Sequence, residues 1–166
     1  VEVPNRNTLL SLTRNAGVLL DEIYSPPPFL QHRKRTPEDA TEPHNHIGID
    51  INNQSTYNII SGNSLQENNV SIHVYYADFN AFFENNLTYS PVSVIVRYSS
   101  SNTFSENEIR NGFNGIILNG ADFNNISRNI MSNLEYGIQL KAYADHNFIS
   151  ENSITNCSYA GIDLDE

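Results

Sequence analysis

The sequence predicts an all-β chain wound as a single-stranded parallel β-helix, a solenoid of about five coils of 22–24 residues. Three observations carry this prediction. An asparagine recurs as Asn63, Asn85, Asn107, Asn129 and Asn152, with spacings of 22, 22, 22 and 23 residues. A second asparagine precedes it by five residues each time, as Asn58, Asn80, Asn102, Asn124 and Asn147. Two apolar columns keep the same register: Ile60, Phe82, Phe104, Ile126 and Ile149, then Leu65, Leu87, Ile109, Met131 and Ile154.

Residues 1–45 come first and differ in kind. They hold six of the seven prolines, whereas 22 of the 25 asparagines lie from residue 45 onward. The net charge is −1 over residues 1–45 (5 basic, 6 acidic) and −9 over 46–166 (4 basic, 13 acidic). These shifts place a boundary near residue 45, with 46–166 as the β-helix. Asn7–Ser11 and Asn15–Leu20 echo the repeat at compressed spacing, so 1–45 reads as an N-terminal cap, a degenerate coil or an irregular extension. Pro26, Pro27 and Pro28, followed by His32-Arg33-Lys34-Arg35, read as an exposed extended loop. The chain begins at Val1 without a signal-peptide pattern, which reads as a processed product or a fragment.

Within 46–166 each repeat carries a short strand with apolar residues at i and i+2. The pairs are Ile49/Ile51, Ile72/Val74, Val94/Val96, Ile116/Leu118, Ile138/Leu140 and Ile162/Leu164. That is the period of a strand with one buried face. A helical repeat would need i, i+3, i+4 periodicity over ten or more residues, and these β-branched runs are too short. The residues between, Asp50, His73, Ile95, Ile117, Gln139 and Asp163, are expected to point outward. Coils stacked about 4.8 Å apart bring equivalent side chains directly above one another. An asparagine amide has two donors and a two-lone-pair acceptor, so a stacked column suits an internal hydrogen-bonded ladder. Simple turn preference is the alternative for the same residues, and Asn111 reads as an ordinary solvent-facing turn asparagine.

Composition narrows the function. A net charge of −10 disfavours a nucleic-acid surface. One cysteine, Cys157, excludes an intrachain disulfide framework. No run approaches eighteen apolar residues, so no membrane-spanning helix is expected.

The segments N-I-I-S-G-N (58–63), N-T-F-S-E-N (102–107), N-N-I-S-R-N (124–129) and N-F-I-S-E-N (147–152) resemble the repeats of right-handed parallel β-helix proteins, as do N-G-I-I-L (114–118) and Y-G-I-Q-L (136–140). That pectate-lyase-like superfamily includes polysaccharide lyases, alginate epimerases, a periplasmic protein associated with copper-enzyme maturation, and phage tailspikes. The resemblance implies a right-handed coil and fits many activities. An epimerase would carry an aspartate and a histidine after its tyrosine-glycine. Here Tyr136-Gly137-Ile138 is followed by Gln139 and Lys141, so the working residues do not match.

No catalytic residue is assigned. Asp122 and Asp145 fall one coil apart in a column with Asp78 and Ser100, and form a weak Ca²⁺ candidate against an ordinary turn role. No other cofactor is expected. His44, His46 and His73 could approach one another, but a transition metal would need three such ligands in close geometry, so they read as surface histidines, and His146 beside Asp145 reads as a turn residue. The outward face offers the ligand-binding candidates His73, Tyr75, Tyr76, Ile95, Ile117, Gln139 and Tyr143. Aromatic and amide groups on a regular ladder suit a sugar chain or another protein, and the strip equally suits packing beneath another segment. Glycosylation sequons occur at Asn53, Asn69, Asn86, Asn125 and Asn156. The resulting expectation is a non-catalytic structural or recognition module of an extracellular or cell-envelope assembly, with a protein partner and a polysaccharide as its contacts. A fragment of a polysaccharide lyase, epimerase or hydrolase is the alternative.

Overall fold

A computed structural model describes residues 18–19 and 45–165. After the two-residue strand β1 (Val18–Leu19), each coil supplies short strands to three faces. The first face stacks β2 (Asn45–Asn52), β5 (Asn68–Tyr75), β8 (Val92–Arg97) and β11 (Asn114–Asn119). It continues into β13 (Ile130–Lys141) and β15 (Ser153–Leu164), which are long enough to run round into the neighbouring face. That second face holds β4 (Ser64–Gln66), β7 (Asn86–Thr88) and β10 (Glu108–Arg110). The third is β3 (Ile59–Ser61), β6 (Ala81–Phe83), β9 (Thr103–Ser105), β12 (Asn125–Ser127) and β14 (Phe148–Ser150). Every pairing is parallel, and the registers Ile60↔Phe82↔Phe104↔Ile126↔Ile149 match the sequence columns. The chain is therefore a parallel β-solenoid of about five turns. The 1–45 cap falls outside the described residues, except that β1 pairs in parallel with β2 through Val18↔Ile49.

The apolar columns fill the interior. Phe82 and Phe104 are fully buried and stack with ring centroids 4.6 Å apart and planes 4° from parallel. Ile60, Leu87, Ile109, Ile126 and Met131 complete the same cluster. Burial then fades at the last coil: Ile149 and Ile154 are half-buried, and Ile162 and Leu164 are exposed. These residues lack a following coil of described residues to cover them.

Both asparagine columns are hydrogen-bonded ladders. Asn107 shows the rung: its Nδ2 donates to Asn129 Oδ1 and to the Phe82 carbonyl, both at 3.0 Å. Its own Oδ1 accepts the Asn85 backbone N–H at 3.1 Å and the Asn85 amide at 3.0 Å. The rung repeats between Asn63 and Asn85, and between Asn129 and Asn152. The Asn58–Asn147 column repeats it as well. A third, exposed ladder also forms: Asn111 accepts from Asn133, which accepts from Asn156. Asn111 is thus part of a ladder and not a bare turn residue.

The coil turns at corners built on left-handed residues. Phe79, Glu84, Tyr89 and Tyr98 have φ of 57°, 54°, 57° and 48°, and the following coil repeats the set as Ser101, Glu106 and Asn111 with Gly120. A non-glycine side chain in this region costs about 1–2 kcal/mol, yet most of these corners carry large side chains. Their corner amides find partners on the next coil, as Glu84 N–H does on Ser105 O. Glu84 is exposed, and Gly62 occupies the equivalent corner one coil earlier. Glu84→Gly should therefore leave the denaturation midpoint unchanged or raise it by up to ~1 kcal/mol equivalent. The same exchange at the strand residue Thr103 should lower stability by about 1 kcal/mol. Equal losses at both positions in a urea titration would contradict the corner strain.

Candidate functional site

The first face and its adjoining corner carry most of the expected site residues. One outward column reads Asp50, His73, Ile95, Ile117, Gln139, Asp163 by strand register. The next reads Asn52, Tyr75, Arg97, Asn119, Lys141. At the start of the first column His73 Nδ1 lies 2.8 Å from Asp50 Oδ1, and Asn52 Nδ2 donates to Asp50 Oδ2 at 3.1 Å. Two hydrogen bonds thus fix the carboxylate and orient the imidazole. At the other end Gln139 Nε2 donates to Asp163 Oδ2 at 2.9 Å.

The expected exposed apolar strip is not exposed. Ile95 is buried at 9% exposure and lies outside the interior cluster, flanked on adjacent coils by His73 and Ile117. Gln139, at 3%, is held between Ile117 and its acceptor Asp163, and Ile117 is half-buried. On this face Ile95 and Gln139 are therefore closed to a ligand, and Ile117 is partly open.

The accessible groups lie at its edge. Tyr75 stacks on His73, with centroids 5.9 Å apart, and meets Tyr76 edge-on at 4.4 Å and Tyr98 edge-on at 6.2 Å. Tyr76 and Tyr98 stack on each other at 5.3 Å and are each 51% exposed. Gly120 permits this packing: it sits at φ +55°, and a Cβ there would meet the Tyr98 ring at 3.1 Å. The Tyr76 phenol is pushed above its ordinary value, chiefly by the neighbouring Tyr75 hydroxyl, so it remains a neutral hydrogen-bond donor near pH 7. Tyr143 is exposed but makes no ring contact with this cluster among the described residues.

A second aromatic column occupies the corner three residues further on. Tyr57 stacks on Phe79 at 5.3 Å, and Phe123 stacks on His146 at 4.9 Å, with Ser101 at the intervening position. The sequence signal for it was present: each member immediately precedes an opening ladder asparagine, as Tyr57-Asn58, Phe79-Asn80, Ser101-Asn102, Phe123-Asn124 and His146-Asn147.

Asp122 and Asp145 are neighbours with a turn function. Asp122 Oδ1 accepts the Asp145 backbone N–H at 2.8 Å, and Asp78 Oδ1 accepts the Ser100 N–H at 2.6 Å one step along. Changing both Asp122 and Asp145 to asparagine keeps the accepting oxygen. Calorimetry should therefore find no calcium site tighter than the millimolar range before the change, and the fold should be intact after it. A micromolar site abolished by the double change would contradict the turn role.

Metal donors elsewhere are scattered. No three His, Cys, Asp or Glu side chains converge among the described residues. His46 meets Asn69, Met131 is fully buried, and Cys157 is half-buried with its thiol pushed up by that burial. His44 lies outside the described residues. Of the sequon asparagines, Asn53 and Asn156 are exposed, while Asn69, Asn86 and Asn125 are half-buried. No helix among the described residues is long and apolar enough to cross a membrane.

The model of a family described as NosD, periplasmic copper-binding protein, matches residues 2–166. No curated protein and no solved structure matches.

Proposed function

The chain belongs to the NosD family, a periplasmic family of parallel β-helix repeats, and from that premise we propose that it is a non-catalytic recognition module of a cell-envelope assembly that contacts glycans through its aromatic edge. The observation that carries this reading is the Tyr75, Tyr76 and Tyr98 cluster beside His73. Four rings on two adjacent coils make one wall, half of it open to solvent. Aromatic faces bind the apolar faces of sugar rings, and the phenol hydroxyls supply donors for their hydroxyls. The solenoid supports this use, because the asparagine ladder that follows the turn holds the coils, and so the rings, at fixed spacing.

Copper is not assigned to the described residues. A copper centre takes several imidazole, thiolate or thioether donors at one point. Here Met131 faces the core, His73 Nδ1 is engaged by Asp50, and the other donors lie apart. Copper therefore enters no step of this proposal.

A panel of immobilised envelope and plant-type polysaccharides tests the reading. The wild-type chain should be retained by at least one of them. Replacing Tyr76 and Tyr98 together by alanine should abolish retention without loss of fold. Undiminished retention of that variant would remove the aromatic edge as the contact surface.

A further inference from the structure

The corner column of Tyr57, Phe79, Ser101, Phe123 and His146 is a ladder of flat rings with its middle rung missing. Its backbone is continuous through the gap: Phe79 N–H donates to Ser100 O, Ser101 N–H to Asp122 O, and Phe123 N–H to Asp145 O, each at 3.2 Å. All five corner residues share the left-handed conformation, with φ between 55° and 58°. Only the side chain changes at Ser101. The rings above and below pair away from the gap, Phe79 onto Tyr57 and Phe123 onto His146, at 9° and 15° from parallel. Phe79 and Phe123 remain 50% and 61% exposed. Two coil rises separate them, about 9.6 Å. One ring placed midway would sit about 4.8 Å from each wall, the spacing at which this ladder stacks its own rings.

We infer that the gap over Ser101 is a subsite for one pyranose ring of a glycan, held between Phe79 and Phe123. This rests on the glycan-recognition reading of the neighbouring edge and names its chemistry. A flat apolar residue from a protein partner would fit the walls equally well, but the floor and rim are polar. Ser101 stands in the column between the walls, and the column beside it runs Asp78, Ser100, Asp122. Each of those carboxylates spends Oδ1 on a backbone amide, and its Oδ2 has no partner among the described residues. A pyranose presents apolar faces to the walls and hydroxyls round its rim to such acceptors. A bare aromatic side chain would leave them unused.

The decisive variant is S101F, which supplies the missing rung from the chain itself. Phenylalanine already occupies this corner at 79 and 123, so the substitution suits the backbone. Calorimetric titration of the full chain with cellohexaose and with chitohexaose should show millimolar or tighter binding of at least one. S101F should weaken it by about tenfold or more, the loss of stacking on two ring faces, while Y89F, at an exposed corner outside the subsite, should bind like the wild type. Failure of both hexaoses to bind the wild type at millimolar concentration would overturn the subsite. So would equal binding by S101F. If S101F binds normally while the Tyr76/Tyr98 double variant does not, the subsite fails and the aromatic-edge reading stands.

Discussion

Replacing Phe104 by alanine should cost about 3–5 kcal/mol of stability, the largest loss expected from one side chain in this molecule. Phe104 is fully buried in a column, stacked on Phe82 below and paired in register with Ile126 above. The cavity cannot collapse easily, because the ladders on both sides hold the coils at their spacing. Ile149→Ala in the same column should cost distinctly less, since the last coil leaves Ile149 half-buried. Urea titrations of the two variants give the comparison. Equal shifts would mean that the column does not form one continuous core.

The second large effect is at Asn107. Asn107→Leu roughly preserves volume but removes four hydrogen bonds: two that the Asn107 amide donates and two that its oxygen accepts. The Asn85 backbone N–H loses its acceptor inside the fold, and the Phe82 carbonyl loses the amide donor. Buried groups left unpaired cost about 1–3 kcal/mol each, so the variant should lose roughly 2–4 kcal/mol. Asn119 is the matched control. It is half-buried on the outward column, and its side chain has no hydrogen bond among the described residues. Asn119→Leu should change stability by no more than about 0.5 kcal/mol. Equal losses at both sites would reduce the column to a turn preference.

These two residues also show why so much of the fold was legible. A solenoid repeats one local environment, so a side chain needed once is needed in every coil, and Asn107 and Phe104 recur as columns in the sequence. The corners were harder to read. Left-handed backbone normally announces itself through glycine or asparagine, but Phe79, Glu84 and Tyr98 give no such sign. They hold the conformation because neighbouring coils bond their amides, a tertiary cause that no local pattern displays. The outward face was misread at Ile95 and Gln139 for a related reason. Alternation told which way those side chains point. It could not tell that Ile95 and Gln139 would be buried there.

The aromatic columns follow the same logic one level up. Tyr76 over Tyr98, and Tyr57 over Phe79, line up because the asparagine ladders beside them fix the coil-to-coil register. The aromatic surface is thus a product of the scaffold's regularity, and its variation lies in which ring each coil contributes. Ser101 is where that variation opens a space.

Backbone amide chemical-shift mapping tests this account most directly. The isotopically labelled chain would be titrated with cellohexaose and with chitohexaose. Shifts should be confined to the aromatic edge, centred on Tyr76, Phe79, Tyr98, Ser101 and Phe123. Shifts centred instead on the charged corner of Glu84, Glu106 and Arg128, or no shifts with either sugar, would contradict it.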